Sequence, residues 1–216
     1  MKDSFAFTEL VDQRNVRNKW MCSFDVSSLF TNVPLLEIVE FVVKYVRDNF
    51  PNFPLNPDLL KDLLLMCTEN VQFTFNNELY RQSDGIMMGS CLGPILANIF
   101  MAKLEMEHEH IIDSLDFYVR YVDDILIFVR NRRECEQLLT VFNSWHGNIK
   151  FTIEHENNDA IPFLDVMLAR RQDGTLMRSV YRKPTWLPLY IHYHSYAPMK
   201  YKVGLIKTLF HRANSL

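Results

Sequence analysis

The chain has 216 residues, 48% of them hydrophobic, with 23 Lys and Arg against 26 Asp and Glu for a net charge of −3. That suffices for a full core, as one large domain or a domain with an appendage. No stretch approaches the roughly 18 apolar residues of a membrane span, and the first twenty residues lack the apolar core of a signal peptide, so an intracellular address, nuclear or cytoplasmic, with no membrane partner is expected. Cys22, Cys67, Cys91 and Cys135 are far apart and show no Cys-x-x-Cys pairing, which points to reduced core thiols rather than a zinc site or disulfide framework.

Along the chain, an apolar run from Trp20 carries the carboxylate of Asp25. Apolar residues at helical spacing (Leu35, Ile38, Val39, Val42, Val46) predict a helix over 35–49, with Pro34 in its first turn. A proline-punctuated linker, 51–57, leads to a second helix over about 57–68, with Asn56 as N-cap and Leu59, Leu60, Leu63 and Leu64 inward. Residues 71–75 and 79–82 read as a hairpin closed by Asn76-Asn77-Glu78. A glycine-punctuated loop, 84–90, passes through Gly93-Pro94 into a long helix ending near Ile112. Strands 117–119 and 125–129 flank Tyr121-Val122-Asp123-Asp124 as an acidic hairpin. A helix over about 132–145, a strand over 149–154, and a hairpin pairing 161–166 with 175–181 around Asp173-Gly174 follow. A basic amphipathic helix over 197–213 closes the chain. This alternation predicts an α+β fold, an antiparallel sheet with helices on one face, in which Asp25 ends one central strand and Asp123 and Asp124 cap the neighbouring hairpin.

Two adjacent carboxylates between apolar strands cost several kcal/mol to desolvate unless something positive sits beside them, and a divalent cation is the usual answer. The plain alternative is a solvated Asp-Asp turn. Asp25 shifts the balance, because three strand-end acids from two segments can form a two-metal site. Charge is also unevenly spread. From Met167 onward nine Lys and Arg face one acid, a local +8, whereas the rest of the chain carries 14 bases against 25 acids, or −11. The bases are interleaved with aromatics in Tyr181-Arg182-Lys183-Pro184-Thr185-Trp186 and Tyr190-Ile191-His192-Tyr193-His194, a mixture suited to stacking and phosphate contact, so a polyanion is expected to dock at this end rather than the bases forming only a solvated face.

Phe24-Asp25-Val26-Ser27-Ser28-Leu29-Phe30-Thr31-Asn32-Val33-Pro34, the segment 85–100, and Tyr121-Val122-Asp123-Asp124 resemble, in order and spacing, the first, second and third palm motifs of a reverse transcriptase. Phe163-Leu164-Asp165-Val166 sits where the primer-grip hairpin lies. The wording of the first motif, with Phe163-Leu164-Asp165-Val166 and Val180-Tyr181-Arg182-Lys183-Pro184-Thr185, is most similar to Penelope-like retroelements over nearly the whole chain. The resemblance implies a right-hand polymerase palm with partial fingers over 1–166. Residues 167–216 then supply the second strand of the primer-grip hairpin and the basic start of a thumb.

The implied activity is RNA-directed DNA polymerase, with an RNA template, a DNA primer, deoxynucleoside triphosphates and two Mg2+ or Mn2+ ions. Nucleotidyl transfer needs one cation at the primer 3′-hydroxyl and another at the leaving pyrophosphate, about 3.5–4 Å apart. By the resemblance Asp25 and Asp123 bridge both ions, Asp124 assists on the hydroxyl side, and Val26 belongs to the metal set beside Asp25. Ser28 and Leu29 meet the triphosphate through their amides, and Phe30 lies under the sugar, where it excludes a ribose 2′-hydroxyl. Met88 and Gly89 line the templating pair. Tyr121 and Val122 touch the primer end, with Phe163, Leu164, Arg182 and Lys183 as further primer and template contacts. His155 and Lys150 are the candidates to protonate pyrophosphate. Met87 and Cys91 stand where related sequences commonly have proline. The upstream fingers hairpin and a GIY-YIG endonuclease are not matched, so a fragment or decayed copy of a retroelement protein is expected. Two other classes compete: a non-catalytic nucleic-acid-binding remnant, and another metal-dependent phosphotransfer enzyme such as a nucleotide cyclase.

Overall fold

The computed structural model describes residues 1–12 and 14–215. In chain order the elements are α1 (Ser4–Asp12), β1 (Trp20–Val26), α2 (Leu29–Asn32), α3 (Leu35–Asn49), α4 (Pro57–Thr68), β2 (Gln72–Phe75), β3 (Glu78–Arg81), α5 (Gly93–Glu107), α6 (Glu109–Ile112), β4 (Phe117–Tyr121), β5 (Asp124–Val129), α7 (Arg132–Phe142), β6 (Phe151–His155), β7 (Ala160–Phe163), β8 (Val166–Arg170), β9 (Leu176–Val180) and α8 (Met199–Ser215). The α+β expectation holds. No described helix is long and apolar enough to cross a membrane. The chain divides into two compact units, one made of residues 1–23, 116–135 and 154–216, the other of 24–115 and 136–153.

In the first unit β4 and β5 form an antiparallel hairpin, and the strand order of their sheet is β4-β5-β1-β6. Phe117 and Val119 alternate inward on β4, whereas Ile125 to Val129 are buried without interruption, as expected of a strand covered on both faces. A second antiparallel sheet, β7-β8-β9, shares the core with Phe7 and Val11 of α1, and with Met21, Leu126 and Phe128. At the start of β1, the Glu156 carboxylate accepts the Met21 amide at 2.9 Å and an Arg170 Nη2–H at 2.6 Å. Arg170 also donates to the Lys19 carbonyl and to Asp159, each at 2.7 Å.

In the second unit α5 buries Leu96, Ala97, Phe100, Met101 and Leu104, and Phe142 packs on Phe24, Trp145 and Phe151 with ring centroids 4.1–5.5 Å apart. Asn56 caps α4 as expected, its side chain accepting the amides of Asp58 and Leu59. Glu37 accepts from Lys103 at 2.7 Å and lies 3.2 Å from His146 Nε2. Burial pushes its carboxyl up, but these partners outweigh that and hold it below the ordinary range.

Several expectations need correction. Residues 161–166 are not one strand: β7 ends at Phe163 and β8 begins at Val166, with Leu164 at φ 54 in the intervening turn. The hairpin around Asp173-Gly174 is real, but it joins β8 to β9, with Gly174 at φ 86. A leucine in the left-handed region is not a residue that announces a turn. The long helix breaks at His108, where α5 ends and α6 begins. The helix expected to reach Trp145 stops at Phe142, because the Asn143 side chain turns to bond both backbone groups of Phe151. Leu59 is exposed and α4 fully buries only Thr68. The cysteines are not four core thiols: Cys22 and Cys135 are joined as a disulfide, and Cys67 and Cys91 are exposed. Neither α1 nor the four-residue α2 was anticipated.

Arg170→Met should destabilise the protein by about 3–5 kcal/mol, since it leaves the buried Glu156 carboxylate without its cation. Replacing both partners with apolar residues should cost less than this single change. Urea unfolding of the single and double variants measures the difference.

Candidate active site

The acidic hairpin is built from the register Tyr121↔Asp124, which leaves Val122 and Asp123 as a two-residue turn. Two-residue hairpin turns favour glycine or asparagine at the first central position, yet Val122 takes φ 55. A β-branched residue there is a backbone outlier worth about 1–3 kcal/mol of strain, and such strain clusters at functional sites. Arg120 Nη1 donates to the Val122 carbonyl at 3.1 Å and braces the turn. Asp123 and Asp124 are both half-exposed, and the fully buried Ile125 follows directly. The pair is thus fixed at the mouth of the apolar strand β5 and still reaches solvent.

Asp25 belongs to the other unit. On β1 Phe24 and Val26 are buried and Asp25 between them is exposed, the outcome of strand alternation. Thr152 Oγ1 donates to the Asp25 carbonyl at a long 3.5 Å. Beyond the strand, the Ser27 amide bonds Lys150 O at 2.8 Å, Ser28 adopts φ 52, and its carbonyl accepts the Thr31 amide and hydroxyl. Asn32 Nδ2 returns to Ser27 O at 3.0 Å, so the Ser28-Leu29-Phe30 segment is closely held. Leu29 is buried and Phe30 half-buried. A Cβ at Gly93 would lie 3.7 Å from the Phe30 ring, which places the ring beside the foot of the glycine loop. At the loop tip Met88 is 65% exposed, and Gly89, at φ 92, has open space about it. Among the described residues no group of three or more His, Cys, Asp or Glu is gathered to hold a metal ion.

Phe163 is buried in the core of the first unit, and Leu164, half-buried, forms the β7–β8 turn. Arg182 stacks over the Trp186 ring at 5.1 Å, and Lys183 is exposed. Not every base of this end is available: Arg178 pairs with Asp12 at 3.1 Å, Lys202 holds the carbonyls of Tyr193 and Ser195, and Arg212 pairs with Asp165 at 2.9 Å. His155 Nδ1 accepts from Trp20 Nε1 at 3.3 Å, whereas Lys150 is exposed. Sequence reasoning missed Arg120 and Asp84 as organisers. Asp84 stands in an Asp-Gly pair, an ordinary turn signal that could have drawn attention to it.

Residues 2–158 match the family described as reverse transcriptase (RNA-dependent DNA polymerase). No curated protein sequence matches the chain. Among solved structures, apo telomerase from Candida tropicalis truncated from its C-terminal domain superposes with a TM-score of 0.59 at 12% identity, over 82% of this chain and 38% of that one. Telomerase from Candida albicans, in complex with a TWJ fragment of telomeric RNA, gives 0.55 at 12% over 81% and 34%. The Sicinivirus 3Dpol RNA-dependent RNA polymerase gives 0.52 at 14% over 82% and 39%. At these identities the likeness is one of fold, and the chain spans little more than a third of each of these structures. The shared fold is that of a polymerase palm, and the chain belongs to the reverse transcriptase family.

Proposed function

We propose that the chain is the palm of an RNA-directed DNA polymerase of Penelope-like retroelement type, which adds deoxynucleotides to a primer 3′-hydroxyl on an RNA template. The observation that carries the reading is the acidic pair Asp123-Asp124, held at a turn in which Val122 takes a strained positive φ. It is supported by Asp25, exposed between two buried neighbours on β1.

The donor set suits Mg2+ or Mn2+. Magnesium is commonly held by one or two carboxylates together with substrate phosphates and water, so a ready-made cage of three acids is not required. Asp25, the Val26 carbonyl, Asp123 and Asp124 are the groups that would hold two such ions. When bound, the ions supply charge that stabilises the attacking and leaving oxygens of an in-line displacement. The chain's own part is positioning. Ser28 and Leu29 present backbone to the triphosphate, Phe30 limits the sugar, and Met88 and Gly89 border the templating pair. Tyr121 and Val122 border the primer end, and Phe163, Leu164, Arg182 and Lys183 support the primer-template. The division into a palm with partial fingers over 1–166 and a thumb start over 167–216 belongs to the same proposal.

A second reading, a nucleic-acid-binding remnant without catalysis, draws on the basic and aromatic end of the chain, where Arg182 stacks over Trp186 and Lys183 is exposed. Primer extension separates the two. Asp123→Asn should abolish extension and leave fold and hybrid binding nearly intact; equal loss of binding would argue for a structural role. Val122→Gly should raise stability by about 1 kcal/mol, because glycine accepts a positive φ without strain, yet lower the extension rate as the turn loses its fixed geometry. Thermal unfolding paired with single-turnover extension tests this. Affinity for a template-primer hybrid should fall with salt at a slope of roughly −0.9 per phosphate neutralised on a duplex, and Lys183→Ala should lower that slope by about one. Gel shifts across a salt series measure it.

A further inference from the structure

The glycine loop and the Phe30 segment are tied together by one carboxylate. Asp84 Oδ1 accepts the Gly85 amide at 2.7 Å and, from 49 residues away, the Leu35 amide at 3.1 Å. Leu35 opens α3, where a first-turn amide has no partner within the helix and the preceding Pro34 offers no side-chain cap. Asp84 therefore serves as that cap from outside the helix, and its negative charge has the right sign for the helix N-terminus. Gln82 Nε2 steadies it by donating to the Asp84 carbonyl at 2.9 Å. The next two residues continue the contact. Gly85 sits so near α2 that a Cβ would lie 2.6 Å from the Thr31 carbonyl oxygen, and the Ile86 amide donates to the Phe30 carbonyl at 2.7 Å. Beside this clasp lies a cavity of about 330 Å³ lined by Pro34, Leu35, Glu69, Arg81, Asp84 and Gly85.

We propose that Asp84 is a positioning residue for nucleotide selection. It holds the Phe30 segment and the Met88-Gly89 loop tip in one fixed relation, so that the ring meets the sugar of an incoming nucleotide while the loop meets its base. The proposal rests on the reading of Phe30 as the residue that limits the sugar. Asparagine at 84 keeps the Oδ1 acceptor, whereas alanine removes it, so the two variants separate the clasp from the charge.

The test uses the whole chain as wild type, Asp84→Asn and Asp84→Ala, with Phe30→Ala as reference. Two readouts are taken: hydrogen exchange at the Leu35, Gly85 and Ile86 amides, and primer extension with deoxynucleotides against ribonucleotides. Asp84→Ala should lose about tenfold in protection at these amides and shift its preference about tenfold toward ribonucleotides, with Asp84→Asn within about threefold of wild type on both. Should Asp84→Ala fail to fold, Gln82→Ala loosens the clasp from its exposed side and should move both readouts in the same direction by less. Wild-type exchange in Asp84→Ala would overturn the clasp. Loosened exchange with unchanged sugar preference would overturn the selection role and leave a helix cap. A wild-type chain that extends no primer would overturn the polymerase reading, and the selection role with it, while the exchange measurement would still decide the clasp.

Discussion

The buried contact between Glu156 and Arg170 is the constraint on which the first unit depends. A carboxylate that is almost wholly enclosed must be paired and hydrogen-bonded, and here it has the Arg170 guanidinium and the Met21 amide. The guanidinium in turn reaches the Lys19 carbonyl. One ion pair thereby fixes where β1 begins, where the chain turns after β6, and where β8 ends. The phase of β1 decides which residues face inward, and shifting it by one residue would bury Asp25 and expose Phe24 and Val26.

A similar economy governs the rest of the candidate site, whose residues lie in local irregularities carried by regular elements. Val122, Ser28, Leu164 and Gly89 all take positive φ, the first three beside the end of a strand or helix and Gly89 at the tip of the loop before α5. Only one of the four is glycine. The other three conformations are imposed by what surrounds them: the strand register at Val122, the carbonyl-to-Thr31 bonds at Ser28, and the β7–β8 pairing at Leu164.

Much of this was legible in the sequence. The helices α3 and α4 followed from apolar spacing and the Asn56 cap, and the acidic hairpin from two apolar runs around four residues. Asp25 was visible because a carboxylate interrupts an apolar run. What escaped was set by partners distant in sequence. The β7–β8 turn rests on Leu164, α7 stops early because Asn143 bonds Phe151, and α1 is held by Phe163 and its neighbours rather than by any marked helix signal. Cysteine spacing pointed to unpaired thiols because 113 residues separate Cys22 from Cys135. Linear spacing says little about side chains that fold alone brings together.

The order of the sheet also dictates an order of events. Met21 meets Glu156 only after another 135 residues have been made. Until then the edge of Trp20, Met21, Phe24 and Val26 that meets β6 stays open, and contacts of such long range close slowly. The nascent chain thus makes those 135 residues with its future central strand incompletely paired, and any helper that shields an extended apolar segment would act on this stretch.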